Sequence, residues 1–143
     1  MIVPDLNLLV YAIDATFPQH ALAHRWWQDC LNGDEPIGLC DVVSFGFLRL
    51  TTRRGVFANP LPVDTAVALI EQWQSLPHVE SLALCERSRA QVLRWMRELG
   101  VAGNLSTDLQ IAAIAHRDRA TVYSNDTDFL RIPALSVCNP LLD

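Results

Sequence analysis

A chain of 143 residues and 16.0 kDa, half of it hydrophobic and 19% of it charged, has enough apolar side chain for one core and too few charges for disorder. Its net charge of −5 argues against a broad basic face for nucleic acid, so any such contact has to be local. All eleven basic residues are arginine, which excludes a lysine nucleophile, a Schiff base or a phosphate-loop lysine.

The elements follow in order along the chain. Residues 2–5 form a short apolar run that ends in Asp5 and reads as a strand, with Pro4 suited to its edge or terminus. Residues 7–14 and about 18–32 have helical patterning, and Ile37 to Cys40 is a strand after the turn-like Asn32-Gly33-Asp34. Asp41 is placed to cap a helix running to about Arg54, and Asp64 to cap another that stops before Pro77. His78 to Ala83 alternates as a strand does, and Glu86 to Leu99 is a helix stopped by Gly100. Ser106 or Thr107 caps a helix reaching about His116, Thr121 to Ser124 is a strand, and Asn125 to Phe129 turns just beyond it. A last short strand falls near Ser136 to Cys138. Strands alternating with helices imply an α/β fold with a mainly parallel sheet flanked by helices.

Residues 1–143 contain no linker-like stretch, charge block or repeat, so a single domain is expected. The opening MIVPDLNLLVYAID has no basic region ahead of its apolar run, unlike a secretory signal, and Asp14, His20 and Arg25 keep that run short of ~18 apolar residues. A soluble, cytoplasmic protein is expected. Cys30, Cys40, Cys85 and Cys138 lack metal-ligand spacing and read as small apolar core residues in a reducing compartment.

Asp5 ends the first strand, Asp126 follows the strand of residues 121–124, and Asp108 stands in the first turn of a helix. Taken singly, each has an ordinary structural explanation; Asp108, for example, suits a helix N-terminus. In an open α/β sheet, however, functional groups collect beyond the carboxyl ends of the strands. Carboxylates ~4–6 Å apart repel unless a cation lies between them, and oxygen-only ligands of this kind suit Mg²⁺ or Mn²⁺. Such an ion can activate water and stabilise a leaving oxygen in phosphodiester cleavage.

Four blocks in order, PDLNLLVYA, GFLRLTT, GNLSTDLQIAAIA and SNDTDFLRIPAL, with the closing NPLL, resemble the PIN-domain toxins of the VapC type almost end to end. The resemblance implies a PIN-like fold and a homodimeric endoribonuclease that cleaves single-stranded RNA with Mg²⁺ or Mn²⁺. It also implies a small cognate antitoxin protein of the VapB type that holds the enzyme inactive. By resemblance Asp5, Asp108 and Asp126 match the metal-binding and catalytic acids, and Asp128 matches a nearby metal-site position. Asn7 and Ser124 match small polar positions that orient the acids or the ion's waters. Asn104 matches a family asparagine, and equally suits a turn after Gly103.

One position departs from the family pattern. Many relatives carry a further acid before Phe-Leu-Arg, where this chain has Gly46. Asp41 does not substitute for it, because five helical residues rotate it about 140° away. The missing charge predicts at most one tightly held ion, and stronger binding in Gly46→Glu. It also keeps open a degenerate domain that binds RNA or antitoxin without cleavage.

Arg49 and Arg53, i,i+4 on the same predicted helix, are candidate contacts for RNA phosphate or simply cations at a helix C-terminus. Trp26, Trp27, Trp73 and Trp95 have apolar neighbours and read as packing residues. His20 and His24 share a helix face that suits a solvated surface better than a metal. A haloacid-dehalogenase-type phosphatase or a receiver domain is excluded by the absence of lysine, and the former also by Asn7 where it needs a second acid.

Overall fold

The computed structural model describes residues 1–142 except Val56. Five strands form one sheet: β1 (Ile2–Pro4), β2 (Ile37–Cys40), β3 (Val79–Leu82), β4 (Thr121–Tyr123) and β5 (Ser136–Cys138). Their order is β3-β2-β1-β4-β5, and every pairing is parallel. Six helices connect and cover them: α1 (Leu6–Ile13), α2 (His20–Asn32), α3 (Asp41–Thr51), α4 (Val63–Gln74), α5 (Glu86–Leu99) and α6 (Ser106–Arg117).

The expected elements and this fold agree closely, with β2, α5 and β5 matching residue for residue. Sequence reading left Pro4 either an edge or a terminus, and the structure selects the terminus of a central strand. The Ile2 amide donates to Pro36 O on the β2 side, whereas the Asp5 amide donates to Tyr123 O on the β4 side, at 2.8 and 2.9 Å. Pro4 shares the parity of Ile2, so its missing N–H falls on the β2 side, where the register is carried by Ile2↔Ile37 alone. Pairing with β4 continues through Val3↔Val122 and Pro4↔Tyr123.

Strand order reverses at β1. The chain moves outward from β1 to β2 and β3, then returns through α5 and α6 to β4 on the other side of β1. The carboxyl ends of β1 and β4 therefore flank the switch point, where an α/β sheet opens a crevice.

Buried hydrophobic residues on both sides of the sheet form one continuous cluster. Trp27, wholly buried, meets Trp73 edge-on at 5.4 Å, and Phe47 meets the same ring at 5.2 Å. Truncating either tryptophan to alanine costs about 3–5 kcal/mol, since no neighbour can fill the space of an indole. Trp95 is buried as well, and Trp26 stacks on Tyr123 at 5.6 Å. Helix α6 is buried from Ile111 through Ala115, as befits a helix enclosed by the sheet and its neighbours.

Some local expectations need correction: α3, α4 and α6 begin after Cys40, Pro62 and Leu105, so Asp41, Asp64, Ser106 and Thr107 stand in first turns rather than at caps. Helix α3 stops at Thr51 rather than near Arg54. The hydroxyls of Thr51 and Thr52 donate back to Phe47 O and Leu48 O, a competition that favours ending a helix. His24 is exposed and His20 half-buried, as a solvated face requires, but both rings also hold the neighbouring helix. Their Nδ1 atoms bond Tyr11 O and Ala12 O at 2.8 and 3.1 Å, tying α2 to the open carbonyls of α1.

Cys40 is a buried core residue, but Cys85 is exposed at the start of α5. Hydrogen bonds from the Ser88 side chain and amide, with Arg117 nearby, pull its thiol down to about 6. All four cysteines are free.

Candidate active site

The fold brings Asp5, Asp108, Asp126 and Asp128 to the switch point from three separate stretches of chain. Asp5 leaves β1 and begins α1, and its backbone stays in the sheet through the bond to Tyr123. The residue is 3% exposed, and Oδ2 accepts a 2.7 Å hydrogen bond from the Ser124 hydroxyl. Ser124 Oγ also accepts from the Asp126 amide at 2.9 Å. One buried hydroxyl thus joins the end of β1 to the turn after β4. Asp126 in turn caps a short 3-10 helix (Thr127–Arg131), its Oδ1 accepting from the Asp128 amide at 2.9 Å.

Carboxylate oxygens of Asp108, Asp126 and Asp128, one from each, lie within 4.8 Å of one another. Burial, then the charges of Asp5, Asp126 and Asp128, push the Asp108 carboxyl up to about 7. Asp5 is raised as well, because burial outweighs the opposing hydrogen bonds from Ser124 and the first amides of α1, and Asp126 adds repulsion. Three hard-oxygen donors at this spacing, crowded enough to hold a proton near neutrality, suit a small divalent cation. Asp128 belongs to the tight trio, and its other neighbour is Arg131 at 4.0 Å. Asp5 is coupled to the trio by charge and by Ser124.

The remaining expected residues fall at different places. Asn7 is exposed in the first turn of α1 and borders a cleft of about 290 Å³ with Tyr11, Asn125, Asp126 and Thr127. Asn104 is exposed in a 3-10 turn (Gly103–Leu105) just before α6, after Gly103 with its φ of +56°, and makes no side-chain hydrogen bond among the described residues. That geometry matches its reading as a turn residue. Arg49 is exposed on α3, and Arg53 lies past its end, so the two do not share a helical face. Neither forms an ion pair among the described residues.

Tyr11 and Asn125 were not identified from sequence. Tyr11 borders the same cleft as Asp126, and burial, then the charges of Asp5 and Asp126, raise its hydroxyl. Its signal was available, because Asn7 and Tyr11 stand i,i+4 and face the same cleft. Asn125 is held by Asn139, whose Nδ2 donates at 2.9 Å while its Oδ1 accepts from the Leu141 amide. The closing NPLL segment therefore supports the turn that carries Asp126.

Gly46 lies on α3 against Leu6, the residue after Asp5. A Cβ at position 46 would stand 2.8 Å from Leu6 Cδ2, so the leucine fills the space an acid at 46 would enter. Gly46→Glu therefore strengthens ion binding only if Leu6 first swings away.

The PIN domain family pattern matches residues 2–135. Ribonuclease VapC33 of Mycobacterium tuberculosis is 45% identical over 141 residues, 99% of each chain. Ribonuclease VapC37 of the same organism is 32% identical, over 92% of this chain and 91% of its own. The crystal structure of M. tuberculosis VapC20, described as a toxin that cleaves the sarcin-ricin loop, shares the fold with a TM-score of 0.70 at 19% identity, covering 92% and 94% of the two chains. The VapBC2 complex of Rickettsia felis, bound to a promoter DNA fragment, contains a chain with a TM-score of 0.65 at 20% identity, covering 97% and 98%. This chain belongs to the PIN-domain family, among the VapC ribonucleases.

Proposed function

We propose that this chain, as a single PIN domain over residues 1–143, is the toxin of a type II toxin–antitoxin pair, an endoribonuclease that hydrolyses phosphodiester bonds in single-stranded RNA with Mg²⁺, for which Mn²⁺ substitutes. A cognate antitoxin of the VapB type restrains it, and it works as a homodimer in the cytoplasm. No helix among the described residues is long and apolar enough to cross a membrane. The observation that carries this reading is the trio Asp108, Asp126 and Asp128 at the switch point, joined through Ser124 to Asp5, in a chain 45% identical to a ribonuclease.

In this reading Asp108, Asp126 and Asp128 hold the ion, and Asp5 adds charge beside them. When bound, the ion lowers the pKa of a coordinated water and neutralises charge on a phosphate oxygen. Ser124 keeps Asp5 and the Asp126 turn in register, and Asn7 and Tyr11 line the approach to the acids. Asn104 sits at the entry to α6 as a further polar contact, while Arg49 and Arg53 meet RNA phosphate outside the site.

The test is cleavage of single-stranded RNA by the chain alone with Mg²⁺, alongside Asp5→Ala. Activity is expected to vanish with EDTA and in the variant; cleavage that persists unchanged in Asp5→Ala would sink the proposed site. The space taken by Leu6 at Gly46 leaves room for the other reading, RNA or antitoxin binding without cleavage, and a folded wild type that cleaves nothing would favour it. Calorimetric titration with Mn²⁺ without RNA is expected to show one tight ion per chain, because the acid that would help hold a second is missing.

A further inference from the structure

Charge on this molecule is not spread evenly. Six of its eleven arginines, at positions 87, 89, 94, 97, 117 and 119, lie within residues 86–119, the α5–α6 unit and its exit. Between the amino-terminal half of α5 and the end of α6 is a cleft of about 250 Å³ bordered by Arg87, Ser88, Gln91, Arg94, His116 and Arg117, with no carboxylate on its wall among the described residues. In a chain of net charge −5, a concavity lined by three guanidiniums and an imidazole is a local reversal of sign.

The lining groups are partly prearranged. Arg117 is fixed by Asp118, at 3.0 and 3.1 Å, and by Ala83 O at 2.9 Å, so it forms a charged wall already engaged. Arg94 donates to Gln91 Oε1 at 2.8 Å, which orients its guanidinium without neutralising it. The ring of His116 stands edge-on to Trp95 at 5.9 Å. Arg87 is exposed and forms no ion pair among the described residues. Two unneutralised guanidiniums and an imidazole around one concavity match a tetrahedral phosphate, which accepts paired N–H donors from arginine.

We propose that this cleft is an exosite that takes a backbone phosphate of the RNA through Arg87, Arg94 and His116, apart from the bond being cut. It rests on the ribonuclease reading above. Helix α6 connects the two places: Asp108 is in its first turn and His116 in its last, eight residues or about 12 Å along the axis. In a stacked strand that rises ~3.4 Å per nucleotide along its axis, that span is about three to four nucleotides. The exosite would therefore favour longer RNA over fragments that fill only the acidic site.

The experiment uses the full chain, wild type and Arg87→Ala/Arg94→Ala, with circular dichroism and a thermal melt to verify the fold. Both arginines are exposed surface residues outside the acidic site. Binding of fluorescein-labelled single-stranded RNA of about 20 and about 2 nucleotides is followed by anisotropy in EDTA, where cleavage is blocked. Binding of the long RNA should weaken about tenfold in the variant and its salt slope should fall by about one to two, while the short RNA is unaffected. Equal binding of the long RNA by the two proteins overturns the exosite. Inorganic phosphate that shifts the His116 ring resonances while leaving long-RNA binding independent of the arginines would mark a free-anion site, and also overturns it. Loss of binding to an acidic peptide in place of RNA would do the same. Arginine-dependent RNA binding by a chain that cleaves nothing with Mg²⁺ supports the exosite and overturns the ribonuclease reading alone.

Discussion

The two ends of α6 have opposite electrostatics. At its first turn Asp108 stands among three other carboxylates, and burial and repulsion hold its carboxyl near neutrality. At its last turn His116 and Arg117 face Arg87 and Arg94 across the α5–α6 cleft. Acid at a helix start and base at its end both agree with the helix dipole, so each half of this pattern is locally stable. Only the first is then driven past local stability, because acids from β1 and from the turn after β4 are brought beside it. At the basic end guanidiniums remain exposed and solvated, and the charges coexist at little cost. Crowding, more than residue type, separates the site that calls for a cation from the one open to an anion.

The comparison is broken most sharply by removing a crowded acid. Asp108→Asn should lower Mg²⁺-dependent RNA cleavage by about 10³-fold or more, since ion-mediated stabilisation is worth several kcal/mol, yet leave the fold intact. Single-turnover rates at saturating RNA measure this, and a loss of less than tenfold would place the ion elsewhere.

Ser124→Ala tests whether the acids must be held as well as present. Its buried hydroxyl touches both Asp5 Oδ2 and the Asp126 amide, so two groups lose a partner together. A 10–100-fold fall in activity is expected, with weaker Mn²⁺ affinity and about 1–3 kcal/mol less stability. Ser124→Thr, which keeps a hydroxyl, should recover part of the affinity; equal affinity in Ser124→Ala and wild type would make the serine merely structural.

The smallest effect sharpens the electrostatic contrast in the ion-free protein. Asp108 holds its proton to about pH 7 when folded, against an ordinary value of 3.8. Its favourable contribution is therefore complete below about pH 4 and is lost as pH rises through about 7, because the unfolded chain releases the proton first. Allowing for partial exposure, the loss is on the order of 1–2 kcal/mol. Urea midpoints in EDTA should fall between pH 5 and 8 in wild type, less so in Asp108→Asn, and saturating Mn²⁺ should flatten the wild-type trend. A midpoint that rises equally with pH in both proteins would contradict the assigned crowding.

Local patterning determined most of the secondary structure here. Apolar runs bounded by turn residues located β2 and β5, and Gly100, left-handed at φ +68°, ended α5 where expected. It also placed Asp5, Asp108 and Asp126 at strand ends and a helix start, positions that depend only on nearby residues. The early end of α3 was hidden because Thr51 and Thr52 could have bonded solvent instead of their own helix. Only the tertiary structure decided that Asp128 joins Asp108 and Asp126 at close range, and that Asp5 is tied in through Ser124 across 119 positions of sequence. It alone set Leu6 in the space at Gly46, assembled the basic cleft from two helices, and exposed Cys85. The reason is range: backbone bonding and side-chain periodicity act over a few residues, whereas charge crowding and packing depend on which distant segments the sheet order sets side by side.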